Sequence, residues 1–399
     1  MKEAVCELAR RFYPDVVAYR RHLHQHPELS FQEEKTAQYI AQLLREWSVE
    51  HRTGVAGTGV VAIIRGKNPR RRTVALRADM DALPIEEANA VPYRSQNAGV
   101  MHACGHDVHT AALLGAVRIL RDLRQHFSGT VKCLFQPGEE KLPGGASLMI
   151  QAGALEHPRP AAIFAQHVYP ALPAGTVGFR AGEYMASADE LYVTVKGRGG
   201  HAAMPHECVD PVLISAHIVV ALQHIASRYA DPATPTVLTF GKIISDGGAT
   251  NVIPNSVYLE GTFRTMNEKW RAEAHRRMKK MAENIAKGMG GACEFTIVKG
   301  YPVLHNHVSL TRRARTWAVE LLGQERVVDL PLRLTAEDFA YYSQLLPACF
   351  YRLGTGNTSR GITAPVHTNR FDIDESALET GAALMAWLAL RELAHTEPV

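Results

Sequence analysis

Residues 101–109 (MHACGHDVH) concentrate side chains that bind metal ions. Cys104 and His106 are two positions apart, so a loop or an extended segment can direct both toward one ion. A thiolate and an imidazole together suit zinc and the neighbouring transition metals. Taken alone, the segment is also compatible with a histidine-rich turn in which Cys104 is a small buried apolar side chain. Further donors are needed to decide between the two.

Two adjacent carboxylates, Glu139 and Glu140, follow a strand-like run and a Pro-Gly turn. Neighbouring side chains of an extended backbone point in opposite directions, so one can bind a metal ion while the other faces a water molecule beside it. A general base needs that placement, within hydrogen-bonding reach of the water. Taken alone, the pair is more ordinarily interpreted as two solvated carboxylates on a loop.

Further donors follow other predicted strands. Asp79 and Asp81 occupy alternate positions after a buried-looking strand, and an aspartate at such a place often orients a ligating histidine. His167 ends another apolar run, and His367 lies near the C-terminus. A single histidine is usually structural, but several candidates at strand ends together favour a metal centre.

A third group of polar residues lies between these regions and the C-terminus. Glycines precede His201 in the segment GRGGHAAMPH, and they would let the backbone approach a ligand while the imidazole donates to a developing oxyanion. The segment is equally typical of a flexible turn, and it lacks the Lys-Ser/Thr of a phosphate-binding loop. Asn251 and Arg264 are the remaining polar candidates, and the Arg264 fork suits a carboxylate unless that arginine is simply exposed.

The elements that must position these residues alternate between strand and helix. The pattern predicts helices over the first ~50 residues and over 110–125, 310–322 and 376–394, and strands at 59–64, 73–78, 130–135, 161–165 and 349–353. This alternation is typical of an α/β fold whose largely parallel sheet is covered by helices on both faces, with the chemistry at the strand ends.

The pattern changes near residue 185. Strand, helix, two strands, helix and strand follow in the order βαββαβ, with Asp210 predicted to cap the first of these helices. This is the ferredoxin-like α+β arrangement. We therefore expect an inserted domain at 185–299 within a larger domain formed by 1–184 and 300–399.

Composition excludes several classes of protein. The 399 residues carry 44 Lys and Arg against 40 Asp and Glu, a net charge of +4 without long runs of like charge, so nucleic acid and membrane surfaces are not expected partners. No secretory signal is evident, and we expect no membrane span. The six cysteines are widely spaced and suggest no disulfide framework, which favours the reducing cytoplasm.

The segments also resemble a known family when taken in order. They are HPELSFQE, ALRADMDALPI, MHACGHDVHTA, FQPGEE, GRGGHAAMPH, TNVIP, GTFRT, AEDFA and VHTNRFDIDE. Together they are similar to the metallopeptidase family of the aminoacylases and bacterial carboxypeptidases. The resemblance is greatest to the amidohydrolase branch, which contains N-acyl-amino-acid amidohydrolases, hippurate hydrolases and plant auxin-conjugate hydrolases.

The resemblance implies a centre for two divalent metal ions. Its implied ligands are Cys104, His106, Glu140, His167 and His367. Glu139 matches the family's general base, and Asp81 matches its orienting aspartate. By the same resemblance, His201 would bind the substrate and the oxyanion, and Asn251 and Arg264 would bind the substrate carboxylate. Elsewhere in the wider family a histidine ligand occupies the position of Asp79, so zinc, manganese, cobalt and nickel all remain open.

The function that the resemblance implies is hydrolysis of N-acyl-L-amino acids to a carboxylate and a free amino acid. The enzyme is expected to be a cytoplasmic homodimer or homotetramer. Its inserted domain is expected to act as a lid and as a dimerisation domain. A dipeptidase or metallocarboxypeptidase with the same dinuclear site is the alternative among enzymes, with a dipeptide as substrate. A catalytically silent binding protein on the same fold is disfavoured, because Glu139 and every implied ligand are retained.

Overall fold

The computed structural model describes residues 1–395, which form two compact units. The larger unit comprises Met1–Tyr184, His305–Leu332 and the chain from Asp338 onward. The smaller unit comprises Met185–Leu304 and Arg333–Glu337. The chain therefore leaves the larger unit once for a long insertion and once more for five residues.

Helices and strands alternate along the chain. Up to the first boundary they are α1 (Lys2–Gln25), α2 (Glu34–Glu46), β1 (Glu50–Val55), β2 (Gly59–Arg65), β3 (Thr73–Asp79), α3 (His106–Asp122), β4 (Thr130–Gln136), α4 (Gly145–Gln151), β5 (Ala162–Pro173), β6 (Val177–Phe179) and β7 (Gly182–Met185). The insertion contains β8 (Asp189–Lys196), β9 (Gly200–His201), α5 (Pro211–His224), β10 (Thr236–Ser245), β11 (Val252–Ile253), β12 (Ser256–Thr265), α6 (Glu268–Gly288) and β13 (Ala292–Lys299). The remainder contains β14 (Leu304–Asn306), α7 (Val308–Leu322), β15 (Val327–Asp329), α8 (Ala340–Ser343), β16 (Ala348–Gly356) and α9 (Ala377–Ala394).

The larger unit is built on an eight-stranded sheet in the order β1-β2-β4-β3-β5-β16-β6-β15. Its centre is parallel, because β3 pairs in parallel with both β4 and β5, and β5 with β16. Every residue of β3 and β4 is buried, as expected for strands covered on both sides. Helices α1, α3 and α9 contribute to the same apolar core. The predicted α/β class with a mostly parallel sheet is confirmed.

Two of the boundaries in the larger unit that differ from the predictions bear on the donor residues. Helix α3 begins at His106 rather than at residue 110, because Gly105 adopts a left-handed conformation with φ of 82° and serves as the residue before the first turn. Strand β5 continues to Pro173 rather than ending at residue 165, because its register with β16 extends that far. Both changes place candidate metal donors on regular elements.

The smaller unit has a four-stranded antiparallel sheet in the order β10-β12-β8-β13. The chain order β8-α5-β10-β12-α6-β13 is the βαββαβ order that the sequence predicts. Buried and less buried positions alternate along β8, and Leu191, Val193 and Val195 pack with residues of α5 and α6 in one core. Asp210 caps α5 by accepting from the N–H groups of Val212 and Leu213.

One helical stretch of the described residues, Pro211–Tyr229, has the length and composition of a membrane span. The helix contains the polar residues His217 and Gln223, so it is not an unbroken apolar segment, and the expected absence of a membrane span stays a prediction. Ile214 and Ile218 of the same helix are buried in the core of the smaller unit.

Candidate metal centre

Five donor side chains of the larger unit converge beside the parallel strands. Sγ of Cys104 lies 3.4 Å from Nε2 of His167 and 3.2 Å from Nε2 of His367. Nε2 of His367 lies 3.2 Å from Oε1 of Glu140, and Nε2 of His106 lies 3.9 Å from the same oxygen. The structure thus brings together all five residues that the resemblance implies as ligands.

Local backbone geometry explains this convergence. A side chain on Gly105 would meet Cγ2 of Val168 at 2.5 Å, so only glycine fits between Cys104 and His106 at this left-handed turn. His367 itself has φ of 63°, and its N–H donates to the carbonyl oxygen of Ala103 at 2.7 Å. That bond fixes the His367 loop against the segment that carries Cys104.

Hydrogen bonds at the far side of two imidazoles select the nitrogen that faces the cluster. Nδ1 of His106 donates to the carbonyl oxygen and to Oδ1 of Asp81, at 2.9 and 3.0 Å. Nδ1 of His167 donates to the carbonyl oxygen of Val168 at 2.8 Å. Each ring therefore presents Nε2 as a lone-pair donor, which is the arrangement of metal-binding histidines.

The donor set fits a metal ion on two further observations. Nε2 of His106 is buried and makes no hydrogen bond, and buried polar atoms are rarely left in that state without a ligand. Two groups of mutually close donors share the Cys104 sulfur, one with His106 and His167 and the other with Glu140 and His367. Sulfur, nitrogen and carboxylate oxygen together suit zinc-like cations rather than calcium or magnesium.

Burial and neighbouring carboxylates shift the pKa values of three of these donors. Burial raises the pKa of the Cys104 thiol well above its usual range, and the charges of Glu140 and Glu139 raise it further. Burial lowers the pKa of His106, but Asp79, Asp81 and Glu140 outweigh it and raise the pKa to about 10. A hydrogen bond to Glu140 raises the pKa of His367.

Asp81 connects three parts of the site. Besides holding His106, its Oδ2 accepts from the Ser30 hydroxyl at 2.7 Å and from the Glu140 N–H at 3.0 Å. Burial opposes ionisation, yet these bonds and the charge of His106 lower the pKa of Asp81. The residue therefore stays a carboxylate and orients a candidate ligand on each side.

Asp79 has a different environment. Its Oδ1 lies 2.5 Å from Nδ1 of His109, and its Oδ2 accepts from Arg77 at 2.6 Å. Nε2 of His109 accepts from the Val168 N–H, so both nitrogens of that ring are occupied. Burial opposes ionisation, but Arg77, His106 and His109 hold the pKa of Asp79 well below its usual range. Asp79 thus connects β3 to α3, and its Oδ2 is 3.7 Å from Nε2 of His106.

Glu139 is buried in a loop that is fixed by hydrogen bonds to residues distant in sequence. Oε1 of Glu139 accepts from the N–H of Asp338 at 3.3 Å. The buried carboxylate of Glu33 accepts from the Gly138 N–H at 2.8 Å and from the Thr58 hydroxyl at 2.7 Å. No role was predicted for Glu33 or Asp338, although both lie in segments that carry the family resemblance, because neither position has a spacing typical of metal donors.

A network of ion pairs around the buried Arg20 connects the chain segments that carry His106 and His367. Arg20 of α1 donates to Asp107 at 2.9 Å and to Asp372 at 2.8 Å. Asp107 directly follows His106, and Asp372 lies five residues after His367. Arg20 was also missed, because an arginine within a helix gives no sign of burial.

The three remaining candidates belong to the smaller unit. His201 and Asn251 lie close together, since β9 pairs with β11 and the Ala202 N–H donates to the Asn251 carbonyl. Nη1 of Arg264, at the end of β12, donates to the carbonyl oxygen of Leu334 at 3.1 Å. Burial lowers the pKa of Arg264. His201 and Asn251 are exposed, as expected for groups available to a ligand.

With this geometry in view, comparisons with known proteins give a consistent result. The family model described as Peptidase family M20/M25/M40 matches residues 75–391. This protein belongs to that family. The resemblance carried by the nine segments is confirmed, and the chain is an M20-family hydrolase.

Individual relatives extend over most of the chain. An N-acyl-L-amino acid amidohydrolase of Geobacillus stearothermophilus is 43% identical over 305 residues, covering 76% of this chain and 81% of the relative. Thermostable carboxypeptidase 2 of Saccharolobus solfataricus is 38% identical over 380 residues, covering 94% and 95%. The crystal structure of the YxeP protein of Bacillus subtilis, described as a dinuclear metal-binding peptidase of family M20, has a TM-score of 0.83 at 34% identity, covering 96% of this chain and 99% of that one.

Proposed function

We propose that this M20-family hydrolase cleaves the amide bond of N-acyl-L-amino acids, releasing a carboxylate and a free amino acid. The observation that carries the proposal is the shared Cys104 sulfur between two donor groups, with the buried Glu139 carboxylate beside them. The similarity to the N-acyl-L-amino acid amidohydrolase of Geobacillus stearothermophilus supports the proposal that the substrate carries an acyl group. The carboxypeptidase relative supports the second candidate, a dipeptidase or metallocarboxypeptidase with the same centre.

Two divalent ions are the proposed cofactors, and the dinuclear description of the YxeP protein supports that number. Cys104, His106 and His167 would hold one ion, and Cys104, Glu140 and His367 the other. Such ions, when bound, polarise the amide carbonyl and acidify water. Zinc, manganese, cobalt and nickel are all compatible with this donor set.

Glu139 is the proposed general base. It takes the proton of the attacking water and later delivers it to the leaving amine nitrogen, which is the double role that amide hydrolysis requires. The N–H of Asp338 occupies one oxygen of the Glu139 carboxylate.

The smaller unit supplies the proposed substrate contacts. His201 donates to the oxyanion that develops on the carbonyl oxygen. Arg264 and Asn251 bind the α-carboxylate of the amino-acid portion, which an exo-acting amidase must recognise. We assign the inserted domain, expected at 185–299, the role of a lid over the substrate.

The inserted domain also supports the proposal of a homodimer or homotetramer. Val220 of α5 is 70% exposed, and Ile243 and Ile244 of the edge strand β10 are 58% and 53% exposed. An apolar helix face beside an unpaired sheet edge suits a second copy of the same chain. We propose the cytoplasm as the location, with small molecules as the only other partners.

Hydrolysis assays test the function directly. N-acetyl- and N-benzoyl-amino acids are compared with dipeptides of the same C-terminal residue, after chelation and after addition of Mn²⁺ or Zn²⁺. We expect metal-dependent release of the free amino acid, with kcat/KM higher for the N-acyl compounds. A higher kcat/KM for dipeptides would favour the second candidate, and no hydrolysis with any metal would contradict both.

A further inference from the structure

The carboxylate of Asp338 is the centre of a buried hydrogen-bond network in the larger unit. Arg77 donates to its Oδ1 at 2.7 Å. Nε2 of Gln136 lies 2.9 and 2.8 Å from its two oxygens, and the Ala146 N–H donates to Oδ2 at 2.9 Å. Arg77, Gln136 and Asp338 are all essentially inaccessible to solvent.

This network joins four segments that are distant in sequence. Arg77 lies in β3, Gln136 ends β4, Ala146 lies in the first turn of α4, and Asp338 precedes α8. Nε of Arg77 also donates to Oε1 of Gln136 at 2.9 Å, so the donors are themselves held in place. Bonds of this kind to a charged group are about twice as strong as neutral ones, which makes the position of Asp338 well defined.

The main chain of the same residue contacts Glu139. The N–H of Asp338 lies 3.3 Å from Oε1 of Glu139. Because the side chain of Asp338 is anchored by three residues, its N–H is a fixed donor rather than part of a freely moving loop. It therefore selects one orientation of the Glu139 carboxylate among the several that a glutamate side chain can adopt.

We propose that Asp338 is a positioning residue, which fixes the orientation of Glu139 through its own backbone N–H. This inference rests on the proposed role of Glu139 as the general base. In this role Asp338 acts through Glu139. Its loss lowers kcat because the base is misplaced, since a displacement of about 1 Å can reduce a rate by about 100-fold.

The variant Asp338→Asn changes this network with little change in shape. The amide nitrogen replaces one carboxylate oxygen and cannot accept, so it faces a donor from either Arg77 or Ala146. We expect kcat to fall about 10- to 100-fold, while KM and the metal content measured by elemental analysis stay at the wild-type values. Gln136→Leu is a milder second variant, because it leaves the Arg77–Asp338 ion pair, and a smaller fall in kcat is expected from it.

A matched control separates positioning from general destabilisation. Glu392 is a fully buried carboxylate of α9 that pairs with Arg72 and Arg313. Glu392→Gln makes the same carboxylate-to-amide change in an arginine pair remote from Glu139. We expect it to lower the melting temperature without lowering kcat.

A double-mutant cycle gives the decisive readout. In the Glu139→Gln background, Asp338→Asn should cause no further fall in kcat, because the base that it positions is already absent. An equal fall in both backgrounds, or loss of metal from Asp338→Asn, would overturn the positioning role. A wild-type kcat in Glu139→Gln alone would instead overturn the role of Glu139 as base, so the two failures are distinguishable.

Discussion

Asp81 and His106 are joined by two hydrogen bonds from one ring nitrogen, since Nδ1 of His106 lies 2.9 Å from the carbonyl oxygen and 3.0 Å from Oδ1 of Asp81. The ring can then turn only Nε2 toward Cys104 and Glu140. Asp81 thus determines which nitrogen is available to a metal ion, and its negative charge makes that nitrogen a stronger ligand.

Replacement of Asp81 by asparagine tests this relationship. The amide keeps the shape and one acceptor but removes the charge, so we expect affinity for metal to fall about 10- to 100-fold. Titration of the metal-free protein with Zn²⁺ against a chelator of known affinity measures the change. Unchanged affinity would show that the backbone carbonyl of Asp81 alone orients His106.

Metal uptake should release a proton from Cys104. Burial and the neighbouring carboxylates raise the pKa of this thiol, so it is protonated at neutral pH, whereas a metal ion binds the thiolate. Calorimetric titrations in buffers of different ionisation enthalpy count the protons released. We expect Cys104→Ser to release about one proton fewer than the wild type, and equal release by both would exclude Cys104 as a thiolate ligand.

The relation between sequence and site differs from residue to residue. Cys104 and His106 were candidates because of their types and short spacing, whereas Glu140 was implied as a ligand only by the family resemblance. Asp338 could not be predicted, since its partner Arg77 is 261 positions away and neither residue has a neighbour that marks it as buried. Contacts over such separations depend on the topology of the sheet, which a local pattern does not contain.

Boundaries of elements show the same limit. The strand at 256–265 and the cap at Asp210 follow from local alternation and capping chemistry, and the structure confirms both. The start of α3 at His106 and the extension of β5 to Pro173 depend on a left-handed glycine and on pairing with β16. Strand β1 was missed because its residues, EHRTGV, are mostly exposed and polar.

Arg264→Ala tests whether this residue recognises the substrate carboxylate. Among residues 1–395, Arg264 pairs with no carboxylate, and its one side-chain bond is to the carbonyl of Leu334. We expect kcat/KM for an N-acyl-amino acid to fall roughly 10- to 150-fold, equivalent to about 1.5–3 kcal/mol, with little change for the same compound carrying an amidated carboxylate. A variant that still prefers the free acid as strongly as the wild type would indicate a structural role.

The stability of the smaller unit should depend on the ionisation of Asp189. This buried carboxylate binds Arg271 at 2.9 Å and His275 at 2.7 Å, and these partners outweigh the effect of burial and lower its pKa. A lowered pKa stabilises the fold above the unfolded-state value of about 3.9, and this stabilisation is lost as pH falls through the folded value.

Asp189→Asn should therefore unfold more readily at neutral pH, by roughly 1–3 kcal/mol, because Arg271 and His275 lose the carboxylate that both bind and Arg271 keeps only the partly exposed Glu268 as a charge partner. Denaturant unfolding between pH 7 and pH 3 compares the two proteins, and the difference should shrink toward the acidic end. A difference that is constant over this range would contradict the assignment.

The central claim is the division of roles between Glu139 and Glu140, which differ by one position but face different partners. Elemental analysis and kcat of Glu139→Gln and Glu140→Gln, measured side by side, test it most directly. We predict that Glu139→Gln keeps both metal ions and loses about 10²–10⁴ in kcat, the usual contribution of general acid–base catalysis, whereas Glu140→Gln loses metal. Loss of metal from Glu139→Gln together with full metal content in Glu140→Gln would contradict the account.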